Sequence, residues 1–234
     1  DGATRVTAEL APASDSGIAG DNLTNDATPT IRGTGEPGAT VTVTSPTGEV
    51  LTTTVAADST WSVTPGTALP DGAASFAVTA TDAAGNTAST MVSLTVDSVA
   101  SATITGNAIT ADNVVNAAEA GGTIVVTGTV GGDARVGDTV TLVVNGVTYT
   151  GTVTPGLTYS INVAGSNLAG DTSIDASVKG TDTAGNSTTA STVHTHGVDT
   201  TAPGTPVVVI TEDTDNDGRI SLTEISGPAD VRVT

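Results

Sequence analysis

The sequence predicts an all-β protein made of tandem sandwich domains, and three observations carry this prediction. Short segments alternate apolar and polar residues with a period of two, the pattern of half-buried strands. Turn residues interrupt these segments about every 8 to 12 residues. The hexapeptide Thr81 to Asn86 returns with one substitution as Thr181 to Asn186, about 100 residues later, which is the length of one immunoglobulin-like domain. We therefore expect immunoglobulin-like β-sandwich domains in tandem, joined by short linkers.

In the first repeat, residues 39–44 and 76–80 alternate small apolar residues with Thr, so each predicts a strand with one buried face. In the second repeat, residues 139–144 follow the same pattern and end at Asn145-Gly146. Asn-Gly between two strand patterns is a strong signal for a two-residue hairpin turn. Helical periodicity is absent, and only residues 117–120 could form a single turn of helix.

Matching landmarks set the domain boundaries. Trp61 and Tyr159 occupy equivalent strand positions, so we expect both to anchor a core and not to form a carbohydrate-stacking platform. Val-Asp closes each repeat, which places the domains at residues 1–97 and 98–199. Residues 200–234 begin a third immunoglobulin-like repeat, which is either a truncated domain or a remnant completed by something outside this chain.

The charge of the chain excludes several functional classes. Six Lys and Arg residues stand against 25 Asp and Glu residues, a formal net charge of −19. Such a chain repels nucleic acid and anionic lipid, so we expect neither partner and no insertion into a membrane. The absence of cysteine rules out disulfides and thiolate-bound zinc. We expect a monomer in solution.

The third repeat contains a calcium-loop motif. Residues 213–224 match D-x-[DN]-x-[DN]-G-x5-E at every position. Calcium takes six to eight oxygen ligands, which explains both the spacing and the glycine turn at Gly218. The predicted ligands are Asp213, Asp215, Asp217, the main-chain oxygen of Arg219, Ser221 and Glu224.

The corresponding loops of the other repeats keep parts of this pattern. In the second repeat Asp112, Asn116 and Glu119 remain, which predicts a degenerate calcium loop or an ordinary Asx turn. In the first repeat residues 15–26 are rich in oxygen ligands without a pattern. From this loop we include Asp15 and Asp21 among the candidate ligands.

Strand parity predicts a site between the domains. A sandwich with an odd number of antiparallel strands has its last hairpin loop at its N-terminal end, facing the preceding linker. Asp182 and Asn186 should therefore face Asp97, beside the loop of residues 15–26. Such a gathering of carboxylates predicts bound cations. Asp199 closes the second repeat as Asp97 closes the first and is a candidate ligand as well.

Several of these segments resemble a known family. The stretches Gly33 to Val43, Thr60 to Val63, Leu69 to Gly72, Ala80 to Asn86 and Val96-Asp97 are similar to the immunoglobulin-like repeats of giant bacterial surface adhesins, the calcium-dependent RTX and biofilm-associated proteins exported by type I secretion. The resemblance implies an extracellular, non-enzymatic spacer at the cell surface. Calcium would stiffen the tandem domains, which would project a distant ligand-binding domain for adhesion.

Other functions stay open at this point. A glycan- or protein-binding module would need an exposed aromatic platform, and an accessory region of a secreted enzyme would need a catalytic domain elsewhere. His194 and His196 lie on one face of a strand pattern and could begin a zinc site, although exposed strand positions explain them as well. No constellation of acid, base and nucleophile is recognisable.

Overall fold

The computed structural model of the protein describes residues 4–210, 218–219 and 231–233. Strands dominate these residues, as the alternating Val and Thr patterns predict. Within the described residues, helices long and apolar enough to cross a bilayer are lacking.

The first repeat is a sandwich of two sheets. One sheet has three strands in the order β1-β3-β6, and the facing sheet has five in the order β2-β8-β7-β4-β5. The strands are β1 (Glu9–Leu10), β2 (Leu23–Thr24), β3 (Ile31–Thr34), β4 (Thr40–Thr44), β5 (Val50–Thr54), β6 (Thr60–Val63), β7 (Gly72–Thr81) and β8 (Thr87–Val96).

The second repeat is also a sandwich of two main sheets, and it has a separate two-stranded parallel sheet besides. Its strands are β9 (Ala102–Gly106), β10 (Val114–Asn116), β11 (Thr123–Gly132), β12 (Thr139–Val144), β13 (Val147–Thr152), β14 (Thr158–Ala164), β15 (Ser173–Thr181), β16 (Ser187–Thr195) and β17 (Gly197–Asp199). The two main sheets are ordered β14-β11-β9 and β13-β12-β15-β16. The hairpin at Asn145-Gly146 is confirmed, with both residues at positive φ and Val144 paired with Val147.

Each sandwich has its own hydrophobic core. The first core runs from Leu10 to Val96 and the second from Ile104 to Val178. Trp61 and Tyr159 are buried in them, as predicted, with 4% and 2% of their surface exposed. Tyr159 also donates its hydroxyl to the main-chain oxygen of Thr105 at 3.0 Å. The aromatic side chains therefore stabilise the sandwiches and present no flat face to solvent.

Short parallel strands hold the C-terminal end of each repeat. Leu23 and Thr24 of β2 pair in parallel with the last two residues of β8. In the second repeat the whole of β10 pairs in parallel with β17. The last strand of each sandwich is thus fixed before the chain leaves the domain. These pairs are too short to show a period in the sequence, which did not predict them.

Two short helices lie in the second repeat. The single turn expected at residues 117–120 is confirmed as α1 (Ala117–Ala120). A second helix, α2 (Gly165–Gly170), lies where no helix was predicted. Six residues, two of them terminal glycines, are too few to display a helical face, and packing of Leu168 into the core stabilises the helix instead.

Little of the third repeat is described. The strand expected near residue 208 is confirmed as β18 (Val208–Ile210), which pairs with β19 (Val231–Val233). Of the predicted calcium loop, Asp213, Asp215, Asp217, Ser221 and Glu224 lie outside the described residues. Gly218 has φ +79°, the left-handed conformation that the turn of such a loop requires. The loop itself stays a prediction.

Candidate functional site at the junction of the repeats

The hairpin turn at residues 181–186 is organised by one carboxylate. Asp182, 7% exposed, accepts the main-chain N–H of Asn186 on Oδ1 at 2.9 Å and the side-chain Nδ2 of the same residue on Oδ2 at 2.8 Å. The main-chain N–H of Asp182 donates in turn to the oxygen of Asn186. These bonds preform the turn, so its outer surface is rigid before anything contacts it.

This turn lies against the C-terminal end of the first repeat, as strand parity predicts. Asn186 Nδ2 donates to the main-chain oxygen of Asp97 at 2.6 Å. Ser16 Oγ donates to the main-chain oxygen of Ala184 at 2.6 Å. A Cβ atom at Gly17 would stand 2.0 Å from the main-chain oxygen of Thr183. The two repeats therefore touch directly, through an approach that only glycine permits at position 17.

The matching turn of the first repeat repeats these bonds and adds one, from the main-chain N–H of Ala84 to Asp82 Oδ1 at 2.9 Å. Asp82 accepts the main-chain N–H of Asn86 on Oδ1 at 2.9 Å and its Nδ2 on Oδ2 at 2.7 Å. The bond from the Asn86 side chain is the largest of the causes that lower the pKa of Asp82. Gly85 and Gly185 have φ values of +88° and +89°. The two turns thus share their Asp–Asn bonds and their glycine conformation, and they lie in different surroundings.

The first-repeat loop supplies the opposing surface of the junction. Asp15 Oδ2 accepts the main-chain N–H of Gly20, and Asp21 Oδ1 accepts that of Leu23 at 2.9 Å. The other carboxylate oxygen of Asp15, Oδ1, is buried and has no hydrogen-bond partner among the described residues. A buried, unpaired carboxylate oxygen is a costly feature that a cation would relieve.

The candidate ligands of the second-repeat loop are engaged with their own backbone. Asp112 Oδ1 accepts the N–H of Val114 and the hydroxyl of Thr110, bonds that lower its pKa in that order. Asn116 and Glu119 form a capping box at the start of α1, in which each side chain accepts a main-chain N–H near the other. Asp112 and this pair thus each hold their own local backbone, and the degenerate calcium loop stays a prediction.

Asp199 also stabilises its own turn. Its Oδ1 accepts the hydroxyl of Thr201 at 2.8 Å and the N–H of the same residue at 3.1 Å. The hydroxyl bond, followed by the N–H bond, lowers the pKa of Asp199. This is the Asx turn that a strand-terminating Asp commonly forms.

The two histidines differ in their surroundings. His194 lies in β16 and its Nε2 is 3.3 Å from Asn113 Oδ1. Burial and the nearby His196 lower the pKa of His194. His196 lies beyond the strand and is buried, with Nε2 2.8 Å from the main-chain oxygen of Leu168. The expectation that both are exposed strand residues is therefore wrong for His196.

Protein side chains alone do not complete a metal site in the part of the chain that the structure describes. Groups of three or more histidine or acidic side chains able to hold an ion are absent from those residues. A cation at the junction would need main-chain and amide oxygens beside the carboxylates. The oxygen of Asp97 and Oδ2 of Asp182 each accept a hydrogen from Asn186 Nδ2, at 2.6 and 2.8 Å, so a cation would bind them through their remaining lone pairs.

The structure adds Ser16 and Gly17 to the site. The sequence predicts the acidic loop at the junction only as a source of metal ligands, and not as a surface that contacts the second repeat directly. The available signal was the Ser-Gly pair directly after Asp15, because glycine at a surface turn often marks a close approach of two backbones.

Comparison with known proteins identifies relatives of both repeats. A model of the bacterial Ig-like domain family matches residues 3–98. A solved structure of a 1.5-MDa bacterial ice-binding adhesin is 39% identical, with a TM-score of 0.66, and the match covers 86% of this chain and 67% of that one. No curated protein matches the chain.

A second solved structure comes from an Antarctic bacterium, whose Ca²⁺-stabilised adhesin helps it reach out and bind ice. It is 44% identical with a TM-score of 0.63, and the match covers 91% of this chain. The chain spans about half of that structure, 53%. Each match is long enough to include residues of both repeats.

Proposed function

The chain belongs to the family of bacterial immunoglobulin-like domains, and from this membership we propose that it is a structural spacer of a secreted bacterial adhesin. The repeats would lie outside the cell and hold a ligand-binding domain at a distance from its surface. The domain limits at residues 97 and 199 are part of the proposal, supported by the two separate cores. We expect no enzymatic activity and a monomeric chain.

The observation that supports the spacer role is the direct contact between the first sandwich and the second. Asn186 and Ser16 each donate a 2.6 Å hydrogen bond across the junction, and Gly17 allows backbone contact beside them. Small domains otherwise share limited interfaces and move freely relative to each other. A preformed turn docked in this way gives the linker a defined orientation.

Calcium would reinforce the same junction. One feature of the described residues supports a cation there: Oδ1 of Asp15 is buried without a hydrogen-bond partner, next in the chain to Ser16 and Gly17, which contact the second repeat. The motif of residues 213–224 supplies a second calcium loop at the start of the third repeat. The ion would neutralise part of the −19 charge where the carboxylates gather.

The alternative of a glycan-binding module receives little support. Its usual platform is an exposed aromatic ring, and Trp61, Phe76 and Tyr159 are all buried. The remaining aromatic residue, Tyr149, accepts a hydrogen bond from Asn167 Nδ2 at 2.6 Å and packs against the second core. The four aromatic residues of the chain therefore serve its sandwiches.

The experiment measures the junction directly. The chain lacks cysteine, so Thr47→Cys and Thr148→Cys, both at exposed positions in different repeats, carry a pair of spin labels. We expect a narrow distance distribution with calcium and a broader one with a chelator. Asp182→Asn should remove the calcium effect, whereas the matched Asp82→Asn in the first repeat should preserve it.

Two outcomes would contradict parts of this proposal. A broad distribution with and without calcium would overturn the rigid spacer. A narrow distribution in both conditions would support the direct contact between the sandwiches and reject the role of calcium at this junction. The labels span only the first junction, so calcium bound to residues 213–224 does not enter the measurement.

A further inference from the structure

The turn at residues 81–86 matches the turn of the second repeat that contacts the first repeat, but its own outer surface is exposed among the described residues. Ala184 is fully buried at the junction, whereas Ala84, its counterpart, is exposed. Asn86 is likewise exposed, while Asn186 is partly buried. Both turns keep the two bonds from Asn to Asp, and Asp82 accepts one more from the main-chain N–H of Ala84. At their outer surfaces the two turns differ in what contacts them.

Within the part of the chain that the structure describes, the turn of the first repeat lacks the outward hydrogen bonds that the turn of the second repeat makes. The Nδ2 group of Asn186 uses both of its N–H bonds, one within the turn and one on the oxygen of Asp97. Among the described residues, Nδ2 of Asn86 has only the internal acceptor, Asp82 Oδ2. The oxygen of Ala184 accepts the Ser16 hydroxyl, and the described residues offer no such donor to Ala84.

We propose that residues 82–86 are a docking surface for the C-terminal end of another immunoglobulin-like repeat placed ahead of this one. The occupant would present a main-chain oxygen to Asn86 and a Ser-Gly loop like Ser16-Gly17 to Ala84. The chain itself provides the occupant's chemistry, because its first repeat seats on the matching turn of its second. This inference rests on the proposed spacer role and deepens it.

The rigidity of the turn supports binding of a partner. Asp82 is 8% exposed and accepts three hydrogen bonds, from the main-chain N–H groups of Ala84 and Asn86 and from the Asn86 side chain. A surface already fixed in its bound conformation loses little entropy on docking. Ala83 and Ala84 have small side chains and Gly85 has none, which leaves the backbone open to close approach.

A chain with an added copy of the first repeat tests this proposal, and the residue correspondence between the two repeats fixes where the copy is joined. The main-chain oxygens of Thr7 and Thr105 lie in the same place, against Gly33 and Gly128 respectively. Thr4 therefore corresponds to Ala102, and a copy of residues 4–101 can be joined ahead of Thr4 with the natural linker length. Spin labels at Thr47→Cys in the added copy and in the original first repeat then report on the new junction.

We expect the new junction, with calcium present, to give a distance distribution as narrow as that between the first and second repeats. Gly17→Val in the added copy, or Asn86→Ala in the original repeat, should broaden it at least about twofold. Gly17→Val in the original repeat is the matched control, because it alters only the natural junction.

A broad distribution at the new junction beside a narrow one at the natural junction would overturn the docking surface and preserve the spacer role. Broad distributions at both would overturn the spacer role itself. A narrow distribution that neither variant broadens would show that residues 82–86 do not hold the repeats together, and would also overturn the inference.

Discussion

The side-chain amide of Asn186 donates a 2.6 Å hydrogen bond to the main-chain oxygen of Asp97, a residue 89 positions earlier in the chain. The same nitrogen bonds Asp182 Oδ2 within its own turn. One amide group therefore couples the fold of the second repeat to its placement on the first. The matching Asn86 performs only the internal task, so the chain contains its own control.

Asn186→Ala and Asn86→Ala should separate these two tasks. Each variant loses the amide that holds its turn, so we expect the melting temperature of the affected repeat to fall by a few degrees, on the order of that for one lost hydrogen bond. Only Asn186→Ala should also broaden the distance distribution between the labels at positions 47 and 148. Equal broadening by both variants would show that the interdomain bond is not decisive.

Gly17→Ala tests the close approach of the backbones. Gly17 has φ +67° and faces the oxygen of Thr183, whereas Gly20 has φ +88° and no atom within 4 Å of its would-be Cβ. Both alanine variants bear the cost of left-handed backbone, about 1 to 2 kcal/mol. Gly17→Ala should in addition displace the second repeat, seen as faster amide exchange at residues 183–186. If Gly20→Ala gives the same acceleration, the contact at position 17 is unimportant.

Acid should weaken the first repeat through Asp82. Its pKa is lowered from 3.8, chiefly by the Asn86 side chain. A lowered folded-state pKa means that the carboxylate stabilises the fold above pH 3.8, and this contribution disappears as the pH falls through the folded-state value. NMR titration of the Asp82 carboxyl should show the low pKa, and Asn86→Ala should raise it toward 3.8. An unchanged pKa in that variant would reject the assigned cause.

The sequence predicted most of the fold because its strands show their pattern locally. Residues 40–44 alternate Thr with Val, residues 139–144 bury Val140, Leu142 and Val144 on one face, and the Asn-Gly hairpin between β12 and β13 is a strong short-range signal. The helix α2 and the pairs of β2 with β8 and β10 with β17 escaped prediction. They span too few residues to show a period, and long-range contacts hold them.

The junction was predictable in outline and not in its bonds. Strand parity placed Asn186 beside Asp97, and the structure has them in contact. Which atoms meet was beyond the sequence: the main-chain oxygen of Asp97 makes the contact, and its carboxylate does not. At Asn116 and Glu119 one sequence pattern fits two structures. The spacing that resembles a calcium loop equally suits a capping box, and the capping box is what forms.

The parallel pairs at the end of each sandwich affect how the chain would carry mechanical load. A pull along the chain would act on the strands that leave each repeat, the end of β8 and then β17. Their partners β2 and β10 run alongside, so the hydrogen bonds lie across the strands and would share the load. Bonds loaded in this shearing arrangement resist force together and do not open one after another.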